Sequence, residues 1–186
     1  PLQGHKLLNI DSEEEGYLLT SCAGGCRANV TLPAMYETRQ GCLYEITVDG
    51  LLGGHSGVEI DKGRANANLL LGRAMMMLRS KMEFSVVSLS GGLKDNAIPR
   101  KAQASIMIDS RDAVRLESML QEIGDAIAGE YMVTDPEVRI ILTAAGAGEA
   151  KTLTEECASK VITDQSAPER GSDDERAYQR PGGDFA

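Results

Sequence analysis

Histidines are the scarcest of the side chains able to do acid–base or metal chemistry in this sequence: the 186 residues contain two, His5 and His55. His55 lies in Gly53-Gly54-His55-Ser56-Gly57. Glycines on both sides let a ligand approach the backbone closely and leave the imidazole displayed on a loop. A ring in that setting can donate to a developing oxyanion or hold a carboxylate. A histidine in a plain surface turn reads the same way, and the local residues do not separate the two.

Asp11 closes the apolar run Lys6–Ile10 and opens the acidic stretch Asp11-Ser12-Glu13-Glu14-Glu15-Gly16. Carboxylates are hard oxygen donors for a divalent ion, and they are also what a solvated acidic loop is made of. A catalytic zinc requires about three protein ligands around one point, with a position open for water. His5 and Asp11 would share a strand face at a separation of roughly 20 Å, too far for one ion. His55 belongs to another segment, and no H-x-x-x-H or H-x-D pair is present. One or two ligands are on offer, not a whole site. Asn96, in Gly91-Gly92-Leu93-Lys94-Asp95-Asn96-Ala97-Ile98-Pro99, is either a turn former ahead of a strand or an amide directed at the ligand of His55.

Elements must exist to position these groups. Tyr44, Ile46 and Val48 alternate with Glu45, Thr47 and Asp49, the pattern of a half-buried strand. The glycine-rich stretch 50–57 is a loop. A helix is expected from about Gly63 to Lys81, with Leu69, Leu70, Met76 and Met77 on one broad face. Phe84, Val86 and Leu89 mark a strand ended by Gly91-Gly92, and Ile98-Pro99 opens the next, through Ala102, Ala104, Ile106 and Ile108. Asp112 is the expected N-cap of a second helix whose stripe is Leu116, Met119, Leu120, Ile123 and Ile127. Val138, Ile140 and Leu142 form one more strand. A third helix begins near Thr152, with Thr152 and Glu155 spaced as a capping box. Past about Thr163 the chain is polar and broken by Pro and Gly, and disorder is expected.

The order strand, helix, strand, strand, helix, strand with short connections predicts an α+β fold. In it an antiparallel sheet carries two helices on one face, a ferredoxin-like βαββαβ sandwich. A net charge of −9 argues against nucleic acid and against an anionic membrane surface, both of which demand a basic face. No apolar run approaches the ~20 residues that span a bilayer. Cys22 and Cys26 flank Gly24-Gly25 without a second pair to complete a metal knuckle, so they, Cys42 and Cys157 read as free thiols. Reduced thiols and the lack of a signal peptide predict a cytoplasmic protein. A first residue of Pro1 rather than Met suggests a processed or cut end.

Three strings in series carry a resemblance. They are Leu7-Leu8-Asn9-Ile10-Asp11-Ser12-Glu13-Glu14-Glu15-Gly16 with Ser21-Cys22-Ala23-Gly24-Gly25, then Gly50–Ile60 with Lys62-Gly63-Arg64-Ala65-Asn66-Ala67-Asn68, then Gly91-Gly92 through Pro99. Over about residues 4–162 the chain resembles the aminoacyl-histidine (Xaa-His) dipeptidases of the M20 metallopeptidase clan. The resemblance implies a two-domain enzyme: an α/β catalytic domain with two zinc ions, and an inserted lid. It assigns 1–16 to a piece of the catalytic domain, 17–162 to the lid and 163–186 to a tail unlike the family. It also implies that Asp11 ligates one zinc, that His55 polarises the scissile carbonyl, and that Asn96 lies near the substrate. In related dimers the histidine reaches the partner's active site.

The implied reaction is hydrolysis of a dipeptide such as carnosine by a metal-activated water, with a homodimer formed through the lid. The family's other zinc ligands and its glutamate base are absent, so the site here is incomplete. Asp61 stands where the family has a histidine, and Leu69 where it has a lysine. A non-catalytic ferredoxin-like binding or dimerisation module, and another M20 amidohydrolase, are the alternative readings.

Overall fold

The alternation at Tyr44, Ile46 and Val48 sits in β1 (Tyr36–Asp49), which is hydrogen-bonded along both of its edges. On one side lies β5 (Ala102–Ile108), on the other β6 (Arg139–Leu153), both antiparallel to it. Beyond β5, also antiparallel, runs β3 (Ser85–Gly91), giving the sheet order β3-β5-β1-β6. Two short segments, β2 (Gly54–His55) and β4 (Ala97–Ile98), pair separately. The computed structural model describes residues 4, 15–17 and 30–166. Its backbone falls into two units, 1–30 and 31–186, and the second holds the sheet and its helices. Asp11, His5, Cys22, Cys26 and residues 167–186 lie outside the described residues. The assignments resting on them, the zinc ligand and most of the tail included, lie outside with them.

Among the described residues three α-helices complete the fold: α1 (Ala67–Arg79), α2 (Ala113–Glu130) and α3 (Glu155–Ser166). Asn66 starts α1, its side-chain oxygen accepting from the amides of Asn68 at 3.0 Å and Leu69 at 3.4 Å. This satisfies donors that have no carbonyl behind them in the first turn. Ile46, Val48, Ala104 and Ile106 of the sheet form one core with Leu70, Met75, Leu116 and Ile123 of the helices. The fold is the expected α+β arrangement, an antiparallel sheet with helices packed on it in strand–helix–strand–strand–helix–strand order. α3 is added at the end and lies against α1 through Cys157, Ala158, Val161 and Ile162.

Several expectations are corrected. α1 begins at Ala67 rather than Gly63 and buries Leu70, Leu71, Ala74, Met75 and Leu78. Those positions repeat every three to four residues, whereas Met76 and Met77 project on the far side and are exposed. Asp112 occupies the N-cap position of α2 but makes no side-chain cap bond; Asp109, one turn earlier, accepts from the Arg111 amide. The capping box at Thr152 does not form, because Thr152 is still in β6, where it is buried with its hydroxyl facing the Glu37 carbonyl. α3 runs on to Ser166, so the first residues expected to be tail are helical. The free thiols are borne out for Cys42 and Cys157.

β1 starts at Tyr36 and β6 continues to Leu153, both well beyond their alternating stretches. The two extensions pair with each other, Glu37 opposite Thr152 and Gly41 opposite Gly148. Thr143 to Glu149 is exposed throughout. A ribbon wet on both faces has no inside, so no period-two signal marks it.

Leu70 of α1 has no exposed surface. Its replacement by alanine removes apolar contact and leaves a cavity, and is expected to cost about 2–5 kcal/mol. Urea unfolding of the chain and of Leu70→Ala, followed by circular dichroism, measures the difference.

Candidate functional site

β1 ends at Asp49 and the chain turns at Gly50, whose φ is +85°. A Cβ at Gly50 would stand 1.9 Å from the Glu137 carbonyl oxygen, so both the dihedral and the close approach require glycine. The loop then runs to the N-cap of α1. Gly53, at φ +65°, packs its α-carbon against the Arg100 side chain, where a Cβ would meet Cγ at 2.3 Å. Arg100 in turn donates from Nε to the Leu51 carbonyl at 3.2 Å. Arg64 donates to the Gly53 carbonyl.

β2 brings His55 beside β4, with His55 opposite Ala97 and Gly54 opposite Ile98. The Ser56 amide donates to the Asn96 carbonyl at 3.0 Å. The two candidates from separate motifs, His55 and Asn96, are thereby placed on adjoining backbone, both exposed. The same loops carry exposed apolar side chains: Leu52 and Val58 in the His55 loop, Leu93 in the Asn96 loop.

The imidazole is fixed from one side. Its Nδ1 accepts from the amides of Gly57 at 3.0 Å and Val58 at 3.3 Å. A neutral ring whose Nδ1 is an acceptor carries its hydrogen on Nε2. The loop thus presents an N–H donor outward, and among the described residues none accepts from it.

Glu59 holds the backbone of the turn. One carboxylate oxygen accepts from the His55 amide at 2.9 Å, the other from Lys62 Nζ at 2.6 Å, and Arg64 stands 3.3 Å away. Its own amide returns a bond to the His55 carbonyl at 3.1 Å. The bonds from the Lys62 ammonium and then the His55 amide hold the Glu59 carboxyl down to about 2 against desolvation, with smaller help from the charges of Lys62 and Arg64.

Asp135, in the turn after α2, has no exposed surface and points its carboxylate at the loop. Oδ1 accepts from the Leu52 amide at 2.9 Å and Oδ2 from the Ala65 amide at 2.8 Å. Sequence reasoning missed both Glu59 and Asp135. Glu59 reads as a surface carboxylate, and Asp135, followed by Pro136, reads as an ordinary turn residue. No side-chain motif marks a group whose partners are backbone amides.

Among the described residues no three His, Cys, Asp or Glu side chains converge to hold a metal ion. No described helix is long and apolar enough to cross a membrane. A cavity of about 640 Å³ opens at the other end of the sheet, between Arg39, Arg79, Phe84, Arg111 and Glu155. Its arginines are already paired, with Glu37, Glu155 and Asp109.

Residues 46–135 match the M20 peptidase dimerisation domain. The cytosol non-specific dipeptidase of Escherichia coli (strain K12) is 34% identical over 148 residues, covering 76% of this chain and 30% of that protein. The aminoacylhistidine dipeptidase of Vibrio alginolyticus shares the fold with a TM-score of 0.65 at 24% identity, covering 81% of this chain and 30% of that one. The chain therefore spans about 30% of the length of the curated relative it matches.

The Glu59 geometry predicts an acid limit for the loop. A carboxyl at about 2 when folded and 4.5 when free stabilises the turn fully above 4.5, and that contribution is lost as pH falls through about 2. The His55 amide resonance should move with a midpoint near 2, and Glu59→Gln should abolish the transition; a midpoint at 4.5 would mean that the carboxylate is not bonded there.

Proposed function

From the premise that residues 46–135 are an M20 peptidase dimerisation domain, we propose that the chain is the lid of a metal-dependent dipeptidase acting on Xaa-His dipeptides such as carnosine. The observation that carries this reading is the His55 ring, locked by the Gly57 and Val58 amides so that Nε2–H faces outward. Hydrolysis of an amide places negative charge on the carbonyl oxygen as water adds. A donor already aimed at that position stabilises the transition state more than the neutral carbonyl. His55 is that donor. Asn96, in the turn just before β4, borders the substrate and contributes its amide to holding the dipeptide.

The name of the Escherichia coli relative supports dipeptide hydrolysis, and its cytosolic designation supports the same compartment here. The relatives are longer than this chain, which leaves room for a catalytic domain elsewhere in the protein. The described residues do not fit a metal by themselves. Zinc, two ions in the complete enzyme, is assigned to residues outside this chain together with Asp11 as one ligand. The lid pairs with a second copy to form a homodimer, in keeping with the domain that it matches. The exposed Leu52, Val58 and Leu93 in the His55 and Asn96 loops suit a face that is covered when the site closes.

Two experiments test the reading. In the complete enzyme His55→Ala should lower kcat by roughly 10²- to 10³-fold, the scale of losing one oxyanion donor. An unchanged kcat would remove His55 from catalysis. The 186-residue chain by itself should neither hold stoichiometric zinc nor turn over carnosine, as followed by metal analysis after dialysis and by release of histidine. Turnover by the isolated chain would sink the division of labour proposed here.

A further inference from the structure

We propose that Asp135 is the positioning residue of the His55 loop, one buried carboxylate setting the place of both loop ends and hence the aim of the ring. The proposal rests on His55 acting as the oxyanion donor. Leu52 stands three residues before His55 and Ala65 is the last residue before the α1 N-cap, so the two Asp135 bonds bracket the presenting segment. Both are short, 2.9 and 2.8 Å, and the Ala65 bond is buried.

Asp135 is itself fixed to the scaffold. Its amide donates to the Tyr131 carbonyl at the end of α2 at 2.8 Å, and its carbonyl accepts from Val138 at 3.0 Å, just ahead of β6. The carboxylate therefore refers the loop to α2 and the sheet rather than to its own flexible residues. Other bonds also tie this stretch to the scaffold: β2 pairs with β4, the Ser56 amide bonds to the Asn96 carbonyl, and Arg100 Nε bonds to the Leu51 carbonyl. Asp135 differs from these in holding an amide at each end with one side chain, whereas Glu59, Lys62, Arg64 and the ring shape the turn locally.

Charge and shape both matter at this position. Two acceptor oxygens meet two amide donors. Asparagine keeps the size but turns an NH₂ toward one of the donors, so Asp135→Asn breaks one tether and spares the packing. A misplacement of the ring of about 1 Å is enough to lose a large part of its effect on a reaction.

The test combines the chain and the complete enzyme. In the 186-residue chain, imidazole ¹⁵N shifts should show the Nε2–H form of His55, and Asp135→Asn should keep that form while moving the Leu52, His55 and Ala65 amide resonances, with the circular dichroism of the fold kept. In the complete enzyme Asp135→Asn should lower kcat roughly 10- to 100-fold with KM little altered. On a His55→Ala background the same change should cost almost nothing, since two residues acting through one group are not additive. A full additional loss on that background would overturn the positioning role and leave the oxyanion reading standing. Undiminished kcat in His55→Ala alone would overturn the oxyanion reading and the proposal that depends on it.

Should Asp135→Asn fail to fold, hydrogen exchange on the unaltered chain decides. Leu52 and Ala65 amides protected to the level of β1, and above the amides between them, support the tether. Exchange of those two amides at the rate of an open loop refutes it.

Discussion

Hydrogen bonding on both edges of β1, combined with burial of its helix-facing side chains, is the constraint on which the rest of the domain depends. Ile46 and Val48 are without exposed surface, and β5 and β6 take their registers from the residues on either side of them. A one-residue slip in either pairing would turn Ile46 or its partners to the solvent face, so the apolar pattern fixes the register. Once β1 is placed, α1 and α2 have one apolar surface to cover. The exit of β1 at Asp49 also fixes where the His55 loop starts.

That exit is a demanding piece of backbone. Gly50 is pressed against the Glu137 carbonyl, and Glu137 lies two residues after Asp135. The segment between α2 and β6 therefore meets the loop twice, once by close packing and once through a carboxylate. Further out the polar contacts change character. Glu59 is half-buried and holds the turn by charge-assisted bonds, which salt and acid weaken, whereas Asp135 works out of water where such bonds are stronger. The donor at Nε2 is the sum of these layers.

Much of this architecture was legible in the amino-acid sequence, and the reasons for the remainder are physical. β1 from Leu43, β5 and the stripe of α2 are half-buried elements, whose periodicity records which side faces the core. The outer ribbon of β1 and β6 has water on both faces, and so its small and polar residues carry no record. In α1 a surplus of apolar side chains hid the true stripe, because Met76 and Met77 are as hydrophobic as the buried Met75. His55 and Asn96 could each be singled out from glycine-rich surroundings, but their adjacency comes from the β2–β4 pairing, which is too short to leave a pattern. Asp135 was illegible because its partners, Leu52 and Ala65, are chosen by backbone alone.

The tethering of Leu52 and Ala65 to one carboxylate gives the intervening segment a modular quality. Because the entry and exit of the loop are pinned to the same point and its middle to β4, changes of length confined to residues 57–64 pass little strain into β1 or α1. Loop-closure entropy grows only slowly with length, so such changes are thermodynamically mild. The fold thus holds the His55 ring in a cassette, whose residues can diversify while the frame beneath it stays as it is.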